Sequence, residues 1–133
     1  TGMVLSTNPL KIIPLCVTSG TIQKKKGKFS SLYVAKEATL ILSGNLTVEG
    51  SFINEGTITG SFDIIITGTN TNGCKGAPSG TPYSNTGTIN LCSKGTFNLD
   101  TNSNFKNSGT IKCKSYTEIV DSIDKKPIGC QLN

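Results

Sequence analysis

Short runs of alternating apolar and polar residues, separated by glycine-rich turns, occupy most of the chain. From Gly87 the sequence GTINLCSKGTFNLDTNSNFKNS contains three such runs, TINL, TFNL and NFKN, before the next matching glycine, Gly109. Alternation with a period of two is typical of strands that bury one face. Three strands and three corners within about 22 residues predict one turn of a triangular β-solenoid, a fold made of stacked coils.

A phrase of aromatic residue, asparagine and Gly-Thr-Ile occurs three times, as FINEGTI (52–58), YSNTGTI (83–89) and FKNSGTI (105–111). Since the aromatic, asparagine and isoleucine positions share one parity, their side chains should point to the inner face of the strands. Stacked buried amides can bond to one another or to the adjacent bend, and so avoid the cost of an unsatisfied polar group. The predicted structural ladder consists of Asn54, Asn85 and Asn107.

The predicted organisation is a single all-β domain over residues 1–133, with coils of about 22 residues in 19–114. Open ends of a solenoid expose strand edges and core, so caps are expected at 1–18 and 115–133. In the first cap, LKIIPLCV (10–17) should form an irregular or edge strand. In the second, Ser115-Tyr116-Thr117-Glu118 has the spacing of a capping box and predicts a short helix. A β-sandwich is the competing fold, because short strands separated by frequent turns also fit it.

Extra residues between Gly56 and Gly87 predict a loop over 67–83 that protrudes from the coils. Insertions on one face of a solenoid often carry binding sites. The alternative is a tolerated insertion that is merely tethered by Cys74. The candidate binding residues in this loop are Asn70, Asn72, Lys75, Ser79 and Tyr83.

The five cysteines include no CxxC pair, and the chain has no histidine, so a zinc site is not expected. In a small domain rich in threonine and asparagine, cysteines favour disulfides formed in an oxidising compartment. Proximity in sequence favours Cys74 with Cys92 and Cys113 with Cys130, which would leave Cys16 unpaired, although five cysteines admit many pairings.

The formal net charge is +5, and all thirteen basic residues are lysines. Absence of arginine argues against nucleic-acid recognition, which uses bidentate guanidinium contacts. The run Lys24-Lys25-Lys26 with Lys28 is expected to be a solvated turn, with a patch for polyanions or acidic glycans as the alternative. No apolar window reaches the roughly 18 residues that would predict membrane insertion. The sequon Asn45-Leu46-Thr47 fits secretion.

Catalysis is not predicted, because the chain lacks an imidazole base and its acidic residues are scattered. Asp63 and Asp100 could form a carboxylate pair, and Glu55 should point to solvent, but solvated surface charge is the expected role of all three. No catalytic, cofactor or metal site is therefore assigned. Tyr33 and Tyr116 are candidate sugar platforms that could equally pack against the coils.

Ice binding is an alternative, because a threonine follows each repeated glycine. Flat solenoids with regularly aligned threonines on one face bind ice. The column predicted from the sequence is Thr21, Thr57, Thr88 and Thr110. A sustained Thr-x-Thr array is absent, so ice binding is not favoured.

The F-x-N-x-G-T-I phrase, together with runs such as GNLTVEG over about 38–114, resembles the coils of right-handed parallel β-helix domains in surface adhesins, of haemagglutinin type or fungal cell-wall type. This resemblance implies a non-catalytic binding or adhesion module, secreted or on the cell surface, that recognises a glycan or a surface protein. A structural or assembly protein of a wall, coat or matrix, with self-association, is one alternative. A polysaccharide-active β-helix fragment is another.

Overall fold

All strands in the described part of the chain are parallel to their partners and stacked. The computed structural model describes residues 12–70, 73–78, 83–99 and 105–116, and no helix occurs among them. The strands are β1 (Leu15–Val17), β2 (Ile22–Phe29), β3 (Leu32–Val34), β4 (Thr39–Gly50), β5 (Phe52–Asn54), β6 (Thr57–Thr59), β7 (Ile64–Asn70), β8 (Tyr83–Asn85), β9 (Thr88–Asn90), β10 (Thr96–Leu99), β11 (Lys106–Asn107), β12 (Thr110–Lys112) and β13 (Ser115–Tyr116).

Three faces of parallel strands surround one interior. The first sheet has the order β1-β3-β5-β8-β11. The second sheet supplies the other two faces, because the first half of β4 pairs with β6 and its second half pairs with β7. Strand β2 runs beside both halves of β4. The predicted β-solenoid is therefore confirmed, and the parallel pairing of all described strands rules out a sandwich built from antiparallel hairpins.

The length of a coil can be measured from the register of the first sheet. Leu15 pairs with Leu32, Leu32 with Phe52, and Phe52 with Tyr83, so successive steps span 17, 20 and 31 residues. The last step, from Asn85 to Asn107, spans 22 residues. About four turns of about 20 residues result, and the longest step contains the insertion.

The interior consists of apolar columns that continue through the coils. Ile58 pairs with Ile89, which pairs with Ile111, and all three are buried. Three phenylalanines pack together nearby: ring centroids lie 5.8 Å apart for Phe52 and Phe97, 5.9 Å for Phe52 and Phe105, and 5.3 Å for Phe97 and Phe105. An isolated coil could not bury these side chains, so stacking is what creates the core.

The two predicted caps lie largely outside the described residues. Within 1–18 the structure describes residues 12–18, where β1 pairs with β3 and with no other described strand. The predicted helix start at Ser115 is wrong, because Ser115 and Tyr116 form β13 and pair with Thr96 and Phe97. Sheet pairing satisfies the backbone there, and residues 117–133 lie outside the described residues.

Two further predictions on the second sheet are wrong. The lysine run is not a turn, since Lys24, Lys25 and Lys28 lie in β2 and pair with β4. Edge strands tolerate lysine because their outer side faces water. The threonine beside Thr57 is Thr39 rather than Thr21, because Thr21 precedes the residue that pairs with Thr39.

Candidate functional site

Each asparagine of the repeated phrase closes the tight corner that follows it. The Asn54 carboxamide oxygen accepts the Gly56 N–H at 3.2 Å, and its Nδ2 donates to the Gly56 carbonyl at 3.3 Å. Nδ2 also donates to the Thr88 carbonyl of the next coil, at 3.2 Å. The Gly109 N–H donates to Asn107 Oδ1 at 3.1 Å in the same way. The Asn-x-Gly spacing is thus a two-residue corner held by its own side chain.

The same side chains join neighbouring coils in a ladder. Asn54 Nδ2 donates to Asn85 Oδ1 at 2.7 Å, and Asn85 Nδ2 donates to Asn107 Oδ1 at 2.9 Å. In the two earlier coils this column holds Val17 and Val34, which pair in register with the ladder. The corner after Val34 is longer, since the next strand starts at Thr39. Asparagine therefore occurs where the corner is tight.

Glycines at these corners stack too closely for any side chain. A Cβ built on Gly87 would overlap the carbonyl oxygen of Gly56, and one built on Gly109 would overlap that of Gly87. The Thr88 N–H donates to the Gly56 carbonyl at 2.9 Å, which keeps the two corners in contact. The Gly-Thr-Ile part of the phrase thus reflects the distance between coils rather than a ligand.

A second polar ladder, at the corner before β7, was not predicted. Asn45 Oδ1 accepts the Asp63 N–H at 3.0 Å, and Asp63 Oδ1 accepts the Thr96 N–H at 2.9 Å. Both side chains immediately precede an apolar run, which is the pattern that could have revealed them. Asp63, predicted as a surface charge, is half-buried and caps the backbone of the next coil.

The insertion is covalently bound to the first coil. Cys16 and Cys74 form a disulfide with a Cα–Cα distance of 5.7 Å. The prediction that Cys74 pairs with Cys92 is wrong, and Cys92 rather than Cys16 is the free thiol among the described cysteines. Cys113 is disulfide-bonded, and its predicted partner Cys130 lies outside the described residues. Sequence proximity failed because stacking brings distant coils together.

The disulfide ties one residue of the insertion, Cys74, to the outer side of the first sheet. Cys16 lies between the core residues Leu15 and Val17, so its side chain points outward. Ile53 and Ser84 are the corresponding outward residues of β5 and β8, and they are only 2% and 7% exposed. Ile53 does not belong to the core cluster. Residues 73–78, here called the strap, are thus fixed to this face through Cys74, whereas a protruding loop was predicted.

The candidate residues of the insertion fall into three groups. Lys75 is exposed, and its neighbours Gly76 and Pro78 are exposed as well. Tyr83 is 5% exposed and donates its hydroxyl to the Gly68 carbonyl at 2.6 Å, so it is a packing residue. Asn70 is the last residue of β7, which moves the start of the insertion from 67 to 71, and Asn72 and Ser79 lie outside the described residues.

A tyrosine–carboxylate pair lies on the same outer face. Tyr33 donates its hydroxyl to Glu55 Oε1 at 2.7 Å, and both side chains are half-buried. This hydrogen bond, followed by desolvation and the Glu55 charge, raises the pKa of Tyr33 above its usual value. Glu55 is therefore engaged with a neighbour rather than simply solvated. Tyr116 belongs to β13, and Asp100 lies outside the described residues.

The remaining chemistry of the described residues is sparse. No group of three histidine, cysteine or acidic side chains that could hold a metal ion occurs in the part of the chain that the structure covers. Within the same residues, no helix is long and apolar enough to span a bilayer. Neither protein-family models nor the sequences and structures of characterised proteins match this chain at a significant level. A function is therefore inferred from the geometry of the strap and of the coils.

Proposed function

We propose that the protein is a non-catalytic binding or adhesion module that is secreted or located at a cell surface. We further propose that it contacts its partner through the insertion. The observation that carries this proposal is the Cys16–Cys74 disulfide, which ties Cys74 of the insertion to strand β1. A binding segment that is fixed before contact loses less conformational entropy when a partner binds. The exposed residues Lys75, Gly76 and Pro78 lie directly after the fixed cysteine.

The setting of the insertion supports an extracellular role. Disulfides persist in oxidising compartments and are rare in reducing ones. The coils provide a rigid scaffold, because each strand of the first sheet is paired to its counterpart in the next coil. Insertions presented by such scaffolds are common positions for recognition. The resemblance of the coil phrase to surface adhesins points the same way.

The absence of catalysis is part of the proposal, and the described carboxylates support it. Asp63 accepts a backbone N–H from the next coil, Glu55 accepts the Tyr33 hydroxyl, and Glu49 lies 3.5 Å from Lys28. Each of these three carboxylates has a structural neighbour, and the fourth described carboxylate, Glu37, is exposed on the surface. Glycoside hydrolysis would need a pair of carboxylates facing one another across a groove.

The test is a binding screen against a glycan array and against intact cells. The variant to compare replaces 75–82 with a short glycine-serine bridge and keeps Cys74, so that the disulfide is preserved. The matched control changes the exposed turn residues Ser93 and Lys94 to glycine and serine. We expect the control to bind like the wild type and the bridge variant to lose binding.

Two results would overturn the proposal. Full binding by the bridge variant would show that the insertion is not the contact surface. Absence of binding by a correctly folded wild type would argue against adhesion, and a structural or assembly role would then be the better proposal. Mass analysis of the Cys16–Cys74 linkage in every variant separates lost contact from lost folding.

A further inference from the structure

The lysine strip, defined as Lys24, Lys25, Lys26 and Lys28, is the strongest concentration of charge in the described chain. All four residues lie in β2 and are exposed. Strand β2 pairs with β4 on one side and with no other described strand. A strand rises about 3.3 Å per residue, so the strip spans roughly 13 Å of backbone. Lys24 and Lys28 pair with the half-buried Ile41 and Thr47, whereas Lys25 pairs with the buried Leu42, so the ammonium groups do not all leave the strand on one face.

Little negative charge faces the lysine strip. Lys28 Nζ lies 3.5 Å from Glu49 Oε2, and the Lys28 side chain remains 58% exposed. The residues of β4 that pair with Lys24 and Lys25 are Ile41 and Leu42, both uncharged. Within the described residues, the other three lysines form no ion pair. Their charges are therefore free to attract an external anion.

The local backbone supports the exposed arrangement. The register between β2 and β4 shifts between Lys25 and Gly27, and Gly27 has a φ of 104°, a conformation that favours glycine. A Cβ on Gly44 would overlap the Lys26 side chain, so this glycine provides the space along which the Lys26 stem lies. Such a bulge turns successive side chains of an edge strand to new directions.

We propose that the lysine strip binds an anionic polysaccharide, one that carries sulfate or carboxylate groups along its chain. An extended anion can contact several ammonium groups spread over roughly 13 Å. The side of β2 that pairs with no described strand offers backbone donors and acceptors to sugar hydroxyls. Nucleic acid fits less well, because lysine lacks the guanidinium fork and base stacking requires exposed aromatic rings. The one aromatic residue of β2, Phe29, packs against the core.

This site is distinct from the insertion, since it lies on the second sheet and includes no residue of the strap. A competing explanation is that the lysines prevent β2 from pairing with strands of other chains, a role that involves no ligand. The two explanations differ in a measurable way, because only the binding site predicts that a soluble anionic polysaccharide associates with β2.

The experiment measures the affinity of the full chain for heparin, as a sulfated probe, and for polygalacturonate, as a carboxylated probe, over a range of salt concentrations. The strip variant is Lys24→Gln, Lys25→Gln and Lys26→Gln together. The control variant, Lys36→Gln, Lys94→Gln and Lys114→Gln, removes the same charge from other exposed positions. Circular dichroism verifies that both variants keep the β structure of the wild type.

We expect the wild type to bind at least one of the two probes at low salt, with affinity that falls as salt rises. The strip variant should lose at least about tenfold in affinity, a change of about 1.4 kcal/mol, and the control should remain close to the wild type. The insertion bridge variant should bind both probes like the wild type, which separates this site from the proposed adhesive surface.

Three outcomes would overturn the proposal. Equal losses in the strip and control variants would show attraction to overall charge only. No binding of either probe by the wild type at low salt would leave edge protection as the role of the strip. Displacement of the polysaccharide by single-stranded DNA at lower concentration would assign the site to nucleic acid instead.

Discussion

Replacing the central asparagine of the ladder, Asn85→Leu, tests whether the repeated phrase exists to stack coils. Leucine has a similar size and no hydrogen-bonding group. The Asn85 side chain accepts from Asn54 at 2.7 Å and donates to Asn107 at 2.9 Å, and it also donates to the carbonyls of Gly87 and Thr110, both at 3.3 Å. The substitution removes these contacts from a fully buried position. The two Nδ2 hydrogens serve three acceptors, so the contacts amount to about three hydrogen bonds.

The expected cost follows from these contacts. Three hydrogen bonds at about 1 kcal/mol each give a loss of about 3 kcal/mol. Burial of a leucine side chain offsets about 2 kcal/mol of this. The two amide partners are not orphaned, because Asn54 Nδ2 still donates to the Gly56 and Thr88 carbonyls and Asn107 Oδ1 still accepts the Gly109 N–H. The free energy of unfolding should therefore fall by about 1 kcal/mol.

Urea unfolding followed by circular dichroism measures this change, and a midpoint about 0.5 M lower is expected for a slope of about 2 kcal/mol per M. A double-mutant cycle isolates the ladder itself. Asn54→Leu and Asn85→Leu share one amide–amide bond and should couple by about 1 kcal/mol. Asn90 bonds the Cys92 N–H at a different corner, so Asn90→Leu should be additive with Asn85→Leu. Unchanged or increased stability in Asn85→Leu, or a coupling near zero with Asn54→Leu, would refute the ladder as a stabilising element.

Three other predictions follow from the described contacts. Gly87→Ala should lower the free energy of unfolding by about 3 kcal/mol, because its Cβ meets a neighbouring carbonyl oxygen; wild-type stability in urea unfolding would contradict the close corner. Replacing both Cys16 and Cys74 by serine should cost about 4 kcal/mol, since the disulfide closes 58 residues, and a loss under about 1 kcal/mol in calorimetry would contradict this. Tyr33 should ionise above pH 10 in ultraviolet titration, and Glu55→Gln should move that pKa back towards 10. Because the folded pKa is raised, the Tyr33 contribution to stability is complete below about pH 10 and is lost as pH rises through the folded value.

The columns of the core could be predicted from sequence because parity and repetition are local properties. Phe52, Asn54 and Ile58 keep a fixed spacing to one another, and the repeats reproduce it, so the inner face is visible without any knowledge of distance. The Asn-x-Gly corner follows in the same way, since the side chain acts on the residue two positions later.

The lysine strip and the strap could not be found by the same argument. No residue of β2 is fully buried, so this strand lacks the alternation of apolar and polar residues that identifies a strand, and its lysine run resembles the sequence of a turn. The partner of Cys74 depends on the direction in which the insertion crosses the sheet. Cys16 lies between two apolar residues, which indicates its outward position but not the partner that reaches it.

The Cys16–Cys74 disulfide has a consequence for a protein that is pulled from its ends. Coils of a solenoid can peel off one after another under tension, because each contacts only its neighbours. The disulfide joins two cysteines that are 58 residues apart in sequence, so the chain between them cannot extend until the bond is reduced. About 20 nm of contour length, at roughly 3.4 Å per residue, therefore stays hidden in an oxidised molecule and becomes available to a stretching force after reduction. The coils that follow Cys74 have no such restraint from this bond, so force would act on a molecule with one locked part and one part that can unwind.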